Sequence, residues 1–117
     1  MRTYLSLHQF SLAVSLGCGE AERAHLQQVL IDITLQSEKL PQACSSDTLT
    51  DTICYATLVK NIYEFCENKS FKLLEHLTYQ IYGFIRSQLA GLPVTIKITK
   101  FPPTADLDRC TFTISDH

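Results

Sequence analysis

The sequence has little charge and lacks the residue clusters that mark several functional classes. Of its 117 residues, 19% are Asp, Glu, Lys or Arg, the formal net charge is −2, and no basic run is present. Binding to a nucleic acid backbone usually requires clustered Lys and Arg, so no nucleic acid partner is expected. Because protein interfaces are depleted in charged residues, the low charged fraction suggests contacts between subunits.

The cysteines and histidines do not have the spacings of a metal site or a disulfide framework. The five cysteines are an odd number without a CxxC motif, and the four histidines are scattered without H-x-H or HExxH. Zinc sites and disulfide-linked domains have paired or closely spaced thiols. We therefore expect reduced cysteines, a cytoplasmic location and no metal.

Long apolar runs and cofactor motifs are also missing. No stretch reaches the roughly 18 apolar residues of a membrane span, so no membrane partner is expected. No phosphate loop, cofactor fingerprint or Ser/His/Asp set is visible, and we expect no cofactor. The residues that remain for chemistry are isolated polar side chains in otherwise apolar patterns.

Alternating apolar residues predict a long hairpin in the first third of the chain. In "YLSLHQFSLAVSL" the apolar residues change parity at His8-Gln9, which predicts a β-bulge inside one strand. The segment "GCGEAERAHLQ" is rich in glycine and charge and predicts a loop. "VLIDITL" alternates again and predicts the second strand.

The rest of the chain predicts two helices followed by two strands. Residues 40–54 form a connection with room for one helical turn, a helix begins at Tyr55, and a second runs from about Leu73 to Leu89. "VTIKITK" and "CTFTI" predict the last two strands. The order β-β-α-α-β-β predicts one α+β domain over residues 1–117, a four-stranded antiparallel sheet with both helices on one face. Its long edges invite pairing with other chains, for example in a ring.

Lys100 departs from the pattern of its strand. Val94, Ile96 and Ile98 define the apolar face, and alternation places Lys100 on the same face. Burial statistics favour a strand-end lysine that extends its amine to water. The functional alternative is a partly desolvated amine that exchanges protons near neutral pH.

Glu75 lies at the edge of an apolar helix stripe. The stripe consists of Leu74, Leu77, Ile81 and Ile85. An acidic residue in a first turn is already explained by the helix dipole, which it complements by about 0.3–1 kcal/mol. The functional alternative is recognition of a planar group with two adjacent N–H donors, because a carboxylate offers two acceptors in one plane.

Three other positions have ordinary explanations when taken singly. Glu22 is by default a solvated loop charge and Tyr55 a packing residue at a helix start. Burial statistics favour a buried, inert thiol for Cys54, and a reactive thiol is the alternative. None of these positions decides a function alone.

Four sequence blocks in register resemble a known family. "GCGEAERAHLQQVLIDITL", "DTICYATLVKNI", "FKLLEHL" and "IKITKFPP" are similar, in this order, to the blocks of dihydroneopterin aldolases and the related dihydroneopterin triphosphate epimerases. The resemblance covers about residues 3–115. It implies the tunnelling fold, in which sheets of four subunits close into a β-barrel with the helices outside, and two such rings commonly stack into an octamer. It also implies active sites between neighbouring subunits.

The resemblance implies an activity. The aldolases cleave 7,8-dihydroneopterin into 6-hydroxymethyl-7,8-dihydropterin and glycolaldehyde on the route to folate, and they epimerise the 2′ carbon, without a metal or a Schiff base. Two alternatives stay open: a 2′-epimerase of dihydroneopterin or its triphosphate, and a non-catalytic ring that binds a pterin or purine. Arg23, Lys97 and Arg109 are the cations that a triphosphate could use.

The pterin-binding residues follow from the matched positions. Glu75 corresponds to the glutamate that accepts hydrogen bonds from the pterin 2-amino group and N3–H, and Leu74 contributes its backbone beside it. Tyr55 corresponds to the tyrosine supplied by the neighbouring subunit, and Ile53 to a backbone contact with the ring. These assignments make Glu75 the floor of a pterin pocket.

The catalytic residues follow in the same way. Lys100 corresponds to the catalytic lysine, and Glu22 to a loop glutamate near the substrate side chain, with Tyr55 as the third catalytic group. The sequence departs from the family pattern at Cys54, where Asn, Asp or His is more usual, and at Phe101, where many members have Pro. Both departures could change substrate preference.

Overall fold

The structure, a computed structural model, describes residues 1–104 and 106–117, and this part of the chain forms one mixed sheet and two main helices. The strand order is β3-β1-β2-β4-β5. The elements are β1 (Thr3–Leu16), α1 (Glu20–Arg23), β2 (Gln27–Ser37), α2 (Ala43–Ser46), a 3-10 turn (Leu49–Asp51), α3 (Tyr55–Cys66), β3 (Ser70–Phe71), α4 (Leu74–Gln88), β4 (Val94–Lys100) and β5 (Cys110–Ser115).

The predicted four-stranded antiparallel sheet is correct except for one additional strand. The β1/β2, β2/β4 and β4/β5 pairs are antiparallel, whereas β3 pairs in parallel with the end of β1 through Ser15 and Leu16. A strand of two residues has no alternation to detect, which is why the sequence pattern missed it. The predicted loop after β1 likewise contains the one-turn helix α1.

The predicted bulge in β1 is confirmed. Leu7 pairs with Ile33 and Phe10 with Ile31, so the two residues between them face Asp32 alone. Gln9 has a positive φ of 51°, and its backbone N–H donates to Asp32 Oδ1 at 3.0 Å. The carboxylate therefore satisfies a donor that the bulge removes from the ladder.

One face of the sheet packs against α3 and α4. The buried residues come from alternate strand positions and from one stripe of each helix, and they include Val29, Ile31, Ile33, Ile96, Ile98, Ile62, Leu77 and Ile81. Each large side chain of this kind contributes up to about 1.5–3 kcal/mol by leaving water. Cys66, the last residue of α3, is buried in this core, and burial raises the pKa of its thiol to about 11.

The opposite face of the sheet is polar. Side-chain hydrogen bonds join neighbouring strands across it, in the pairs Ser6–Thr34, Ser11–Gln28 and Thr95–Ser115. Lys97 and Asp32 also face each other there at 3.9 Å. None of the helices in the described part of the chain is long and apolar enough to cross a membrane.

Asp116 fastens the end of the chain to the start of β4 and to α4. Its Oδ1 accepts from the Val94 N–H at 2.7 Å, its Oδ2 accepts from the Tyr82 hydroxyl at 2.9 Å, and Arg86 Nε lies 3.5 Å from Oδ2. Partial burial alone would raise the pKa of Asp116. The hydrogen bonds from Val94 and Tyr82 and the charges of Arg86 and His117 outweigh burial and lower it.

Replacing Asp116 with Ala should destabilise the protein. The change leaves the Val94 N–H and the Tyr82 hydroxyl without their acceptor, at a cost of about 1–3 kcal/mol. Urea unfolding at pH 7 measures this loss, with Asp108→Ala, at an exposed carboxylate, as a control within about 0.5 kcal/mol of the parent. Because the folded pKa of Asp116 is lowered, its contribution is present above about pH 3.8 and is lost as the pH falls through the folded value. Equal unfolding midpoints for the two variants would contradict this role.

Candidate functional site

Lys100 and Glu22 form an ion pair at one end of the sheet. Lys100 Nζ lies 3.0 Å from Glu22 Oε2, and the two side chains are 16% and 30% exposed. Alternation along β4 places Lys100 on the side of the buried Ile96 and Ile98, as the sequence predicted. The amine of Lys100 is therefore not simply solvated at the strand end, because the loop after β1 places the carboxylate of Glu22 beside it.

Contacts within the loop hold the segment that carries Glu22. Arg23 Nη1 donates to the carbonyl oxygens of Gly17 and Cys18, each at 2.8 Å, and the Ser15 hydroxyl donates to the carbonyl of Arg23 at 2.7 Å. The Gln27 side-chain amide donates to the Leu16 carbonyl. The loop is therefore braced from the end of β1 and the start of β2.

The surroundings of Glu22 favour its ionised form. The hydrogen bond from Lys100 lowers the pKa of the Glu22 carboxyl most. Partial burial opposes this, and the charge of Lys100, the Gln27 side chain and the charge of Arg23 add to the lowering. Glu22 is therefore a carboxylate throughout the neutral pH range and accepts hydrogen bonds there.

The start of α4, with Leu74 and Glu75, lies at the same end of the sheet. The Gly17 N–H donates to the Phe71 carbonyl at 3.0 Å, which ties β3 and the following helix to the loop that carries Glu22. Leu74 is buried and its carbonyl accepts from the Thr78 hydroxyl at 2.8 Å. Glu75 is exposed in the protomer, so another chain must cover it if it forms the floor of a dry pocket.

Tyr55 and Ile53 lie at the other end of the sheet. Ile53 lines a cavity of about 680 Å³ whose walls include Tyr4 at the start of β1 and Leu35 near the end of β2. Lys100 follows Thr99, which pairs with Leu30 near the opposite end of β2. Leu30 in turn pairs with Ser11 of β1, and at about 3.3 Å per residue the stretch of β1 from Tyr4 to Ser11 separates the two groups by roughly 20 Å. Because of this separation, one protomer does not bring Tyr55, which is 61% exposed, to the Lys100–Glu22 pair.

Cys54 precedes α3 directly and is partly buried, in contrast to a core thiol. The Thr57 hydroxyl donates to its sulfur at 3.2 Å. This hydrogen bond is the main reason why the pKa of the Cys54 thiol is below its ordinary value. The expectation of a buried Cys54 is therefore wrong, because the residue lies at the start of α3 and is only partly buried.

Metal-ligating side chains do not gather at either end. In residues 1–104 and 106–117, no group of three His, Cys, Asp or Glu side chains is arranged to hold a metal ion. A reaction without a metal remains a prediction.

The sequence matches the family model described as "FolB: Dihydroneopterin aldolase" over residues 5–115. The chain belongs to the dihydroneopterin aldolase family. A probable dihydroneopterin aldolase of Chlamydia trachomatis is 36% identical over 106 residues, which are 88% of this chain and 86% of that protein. The dihydroneopterin triphosphate 2′-epimerase of Escherichia coli K12 is 26% identical over 111 residues, which cover 95% and 92% of the two chains.

The fold agrees with this family. The crystal structure of Escherichia coli dihydroneopterin aldolase in complex with neopterin superposes with a TM-score of 0.88, covering 98% of this chain and 99% of that one. At 20% identity this likeness concerns the fold alone. The predicted α+β protomer of the tunnelling fold is confirmed.

Residue-by-residue reasoning from the sequence missed the residues that support Glu22. Gln27 and Gly17 fall inside a matched block, but neither is a charged residue in an apolar pattern. Their roles depend on the loop conformation, which places the side chain of Glu22 against Gly17 at the end of β1. The only sequence signal was the pair of glycines at the start of the predicted loop.

Removing the amine of Lys100 should raise the pKa of Glu22. In Lys100→Met the carboxyl loses its main hydrogen bond and the nearest positive charge, so a carbon NMR titration should shift upwards from the parent value. Lys97→Met removes a lysine from the same strand but from the polar face, and should leave the titration of Glu22 unchanged. Because the folded pKa lies below 4.5, the pair stabilises the parent above this pH and the contribution is lost on acidification. An identical titration in both variants would show that the pair does not form in solution.

Proposed function

We propose that this protein is a dihydroneopterin aldolase that cleaves 7,8-dihydroneopterin into 6-hydroxymethyl-7,8-dihydropterin and glycolaldehyde in folate biosynthesis. The observation that supports this most is the 3.0 Å contact between Lys100 Nζ and Glu22 Oε2 in a partly buried position. A retro-aldol reaction needs a group that removes the proton of the 2′-hydroxyl. A lysine in contact with a carboxylate provides a proton donor and a proton acceptor side by side, between which a bound water can pass this proton.

Cleavage shifts three electron pairs and moves one proton. Removal of the 2′-hydroxyl proton lets the oxygen form the aldehyde of glycolaldehyde as the C1′–C2′ bond breaks, the bonding pair forms a double bond between C1′ and ring carbon C6, and the π pair of the C6=N5 bond moves onto N5, which takes up a proton. C1′ of this enol-like intermediate then gains a proton while N5 loses one, and the C6=N5 bond re-forms. In our proposal Lys100 moves the protons, through a bound water, while Glu22 and Tyr55 orient the diol.

Substrate binding is assigned to groups at both ends of the sheet. Glu75 accepts from the 2-amino group and N3–H of the pterin, a bidentate arrangement that is strong and selective once water is excluded. Leu74 supplies backbone beside it, and Ile53 supplies a backbone contact from a neighbouring protomer. The exposure of Glu75 in one protomer supports a site that is completed by a second chain.

A homo-oligomeric ring would unite the two ends. Tyr55 and the Lys100–Glu22 pair lie at opposite ends of the protomer, so a head-to-tail arrangement of neighbours can place one beside the other. In the described part of the chain, β3 covers only the end of the outer edge of β1, which leaves most of this edge for pairing with another chain. We propose a tetrameric ring, alone or stacked as an octamer, in the cytoplasm.

The cations near the site favour an unphosphorylated substrate over the triphosphate. Arg23 is occupied by the carbonyls of its own loop, and Lys97 lies on the polar face opposite Asp32. Arg109 Nε donates to Asp108 at 2.7 Å. A triphosphate needs several uncommitted cations near the mouth of the site, so the epimerase of the triphosphate has less support than the aldolase.

Incubation with 7,8-dihydroneopterin and, separately, its triphosphate distinguishes the candidates. We expect the unphosphorylated substrate to release glycolaldehyde. Chromatography of the pterin product measures this reaction. A 2′ stereoisomer without glycolaldehyde would identify an epimerase. Binding of the pterin without either product would identify a non-catalytic pterin- or purine-binding ring.

Replacing Lys100 with Ala should abolish turnover and spare binding. Loss of the proton-transfer group should lower kcat by about 10²–10⁴-fold, whereas the pterin ring is held by Glu75 and should bind within a few-fold of the parent affinity. Turnover assays and fluorescence titration with a pterin measure the two effects, with Lys97→Ala as the matched lysine control. A parental aldolase rate in Lys100→Ala would exclude the proposed role.

Two inactive variants should restore each other if the site is shared between neighbours. Rings assembled from equal amounts of Lys100→Ala and Tyr55→Ala protomers should contain about one quarter of sites in which both residues are native. Turnover of the mixture should therefore rise to about a quarter of the parent value. If a single protomer holds the whole site, the mixture stays as inactive as its components.

A further inference from the structure

Gly17 lies where the Glu22 side chain folds back onto the end of β1. A β-carbon at Gly17 would come within 2.5 Å of the three atoms Oε1, Cδ and Cγ of Glu22. Separations of this size lie well inside the contact distance of carbon and oxygen atoms. The carboxylate of Glu22 thus occupies the space that any side chain at position 17 would fill.

The other glycines of the chain do not share this property. A β-carbon at Gly19, Gly83 or Gly91 would meet no atom within 4 Å. The proximity to Glu22 is therefore specific to Gly17 and is not a general feature of the glycine-containing loops.

The backbone of Gly17 is fixed on both sides and cannot easily move away. Its N–H donates to the Phe71 carbonyl at 3.0 Å, and its own carbonyl accepts from Arg23 Nη1 at 2.8 Å. Its φ of 155° also lies in a region that side-chain-bearing residues rarely adopt. A substitution at this position would therefore displace the flexible carboxylate and leave the backbone in place.

Lys100 lies beside the second carboxylate oxygen. Oε1 of Glu22 faces Gly17, while Oε2 lies 3.0 Å from Lys100 Nζ. We propose that Gly17 is a positioning residue, which by lacking a side chain lets the Glu22 carboxylate lie flat against the backbone and turn one oxygen towards Lys100. It acts on the reaction through Glu22, and this inference rests on the proposed function of the pair.

Gly17→Ala should lower kcat without a comparable change in KM. A displacement of about 1 Å in a catalytic group can cost about 100-fold in rate, whereas the pterin ring is bound by groups that Gly17 does not touch. We expect kcat for 7,8-dihydroneopterin to fall by about 100-fold and KM to stay within about threefold.

Two glycines provide matched controls for this substitution. Gly19→Ala adds the same methyl group to the same loop in open space, and Gly91→Ala adds it at another positive φ, of 92°, away from Glu22. Both controls should retain the parent kcat. A kcat in Gly17→Ala that equals the values of these controls would overturn the inference.

A double-variant cycle separates positioning from a general structural effect. In the Glu22→Ala background no carboxylate remains to be displaced, so adding Gly17→Ala should cause almost no further loss of kcat. An undiminished loss in that background would refute the proposal. If Gly17→Ala alone does not fold, a folded Gly17→Ala/Glu22→Ala protein supports the overlap with Glu22, and an unfolded one overturns it.

A titration of Glu22 tests the inference without any turnover. Displacement of the carboxylate from Lys100 should raise the pKa of Glu22 in Gly17→Ala towards its ordinary value of 4.5, as followed by carbon NMR of the full-length protein. An unchanged pKa would overturn the inference even if the aldolase reaction is established. Failure of the parent to cleave dihydroneopterin would reject the proposed function, and the titration would still decide the role of Gly17.

Discussion

A parallel pairing of two residues on each strand holds together two segments that one protomer contributes to the candidate site, the loop with Glu22 and the start of α4. Ser15 and Leu16 of β1 pair with Ser70 and Phe71 of β3, and the hydroxyls of Ser15 and Ser70 lie 2.7 Å apart. The loop with Glu22 leaves from the end of β1, and α4 with Glu75 begins just after β3. Since both segments start from this bridge, it places the loop with Glu22 and the start of α4 at the same end of the sheet.

The sequence was sufficient to predict the main elements because their apolar patterns are long and regular. The bulge at His8-Gln9, the start of α3 at Tyr55 and the full extent of β4 were all visible as changes or continuations of period. Lys100 was recognisable as a candidate because it is a charged residue on an apolar strand face. The sequence could not show β3 or α1, which span only about one period of their own pattern and so contain no repeat to detect.

The candidate site was harder to predict, because its support comes from backbone geometry and, in our proposal, from a neighbouring chain. The roles of Gly17 and Gln27 exist only once the loop has folded back onto β1, and no periodicity encodes this return. The separation of Tyr55 from Lys100 along the sheet is a property of the fold. Our proposed function therefore requires that two chains build each site.

The β-bulge has a consequence for how the family can vary in length. Because His8 and Gln9 together face one residue of β2, the leucines before the bulge and the apolar residues after it point to the same side of the sheet. Loss of one of these two residues would restore regular alternation and keep Leu5 and Leu7 on the same side as Phe10 and Leu12. A one-residue deletion at the bulge therefore preserves the apolar face of β1, whereas a one-residue deletion elsewhere in the strand would shift the residues on one side of it to the opposite face. A single codon lost at His8 or Gln9 would leave a regular strand with its apolar side chains still facing the helices.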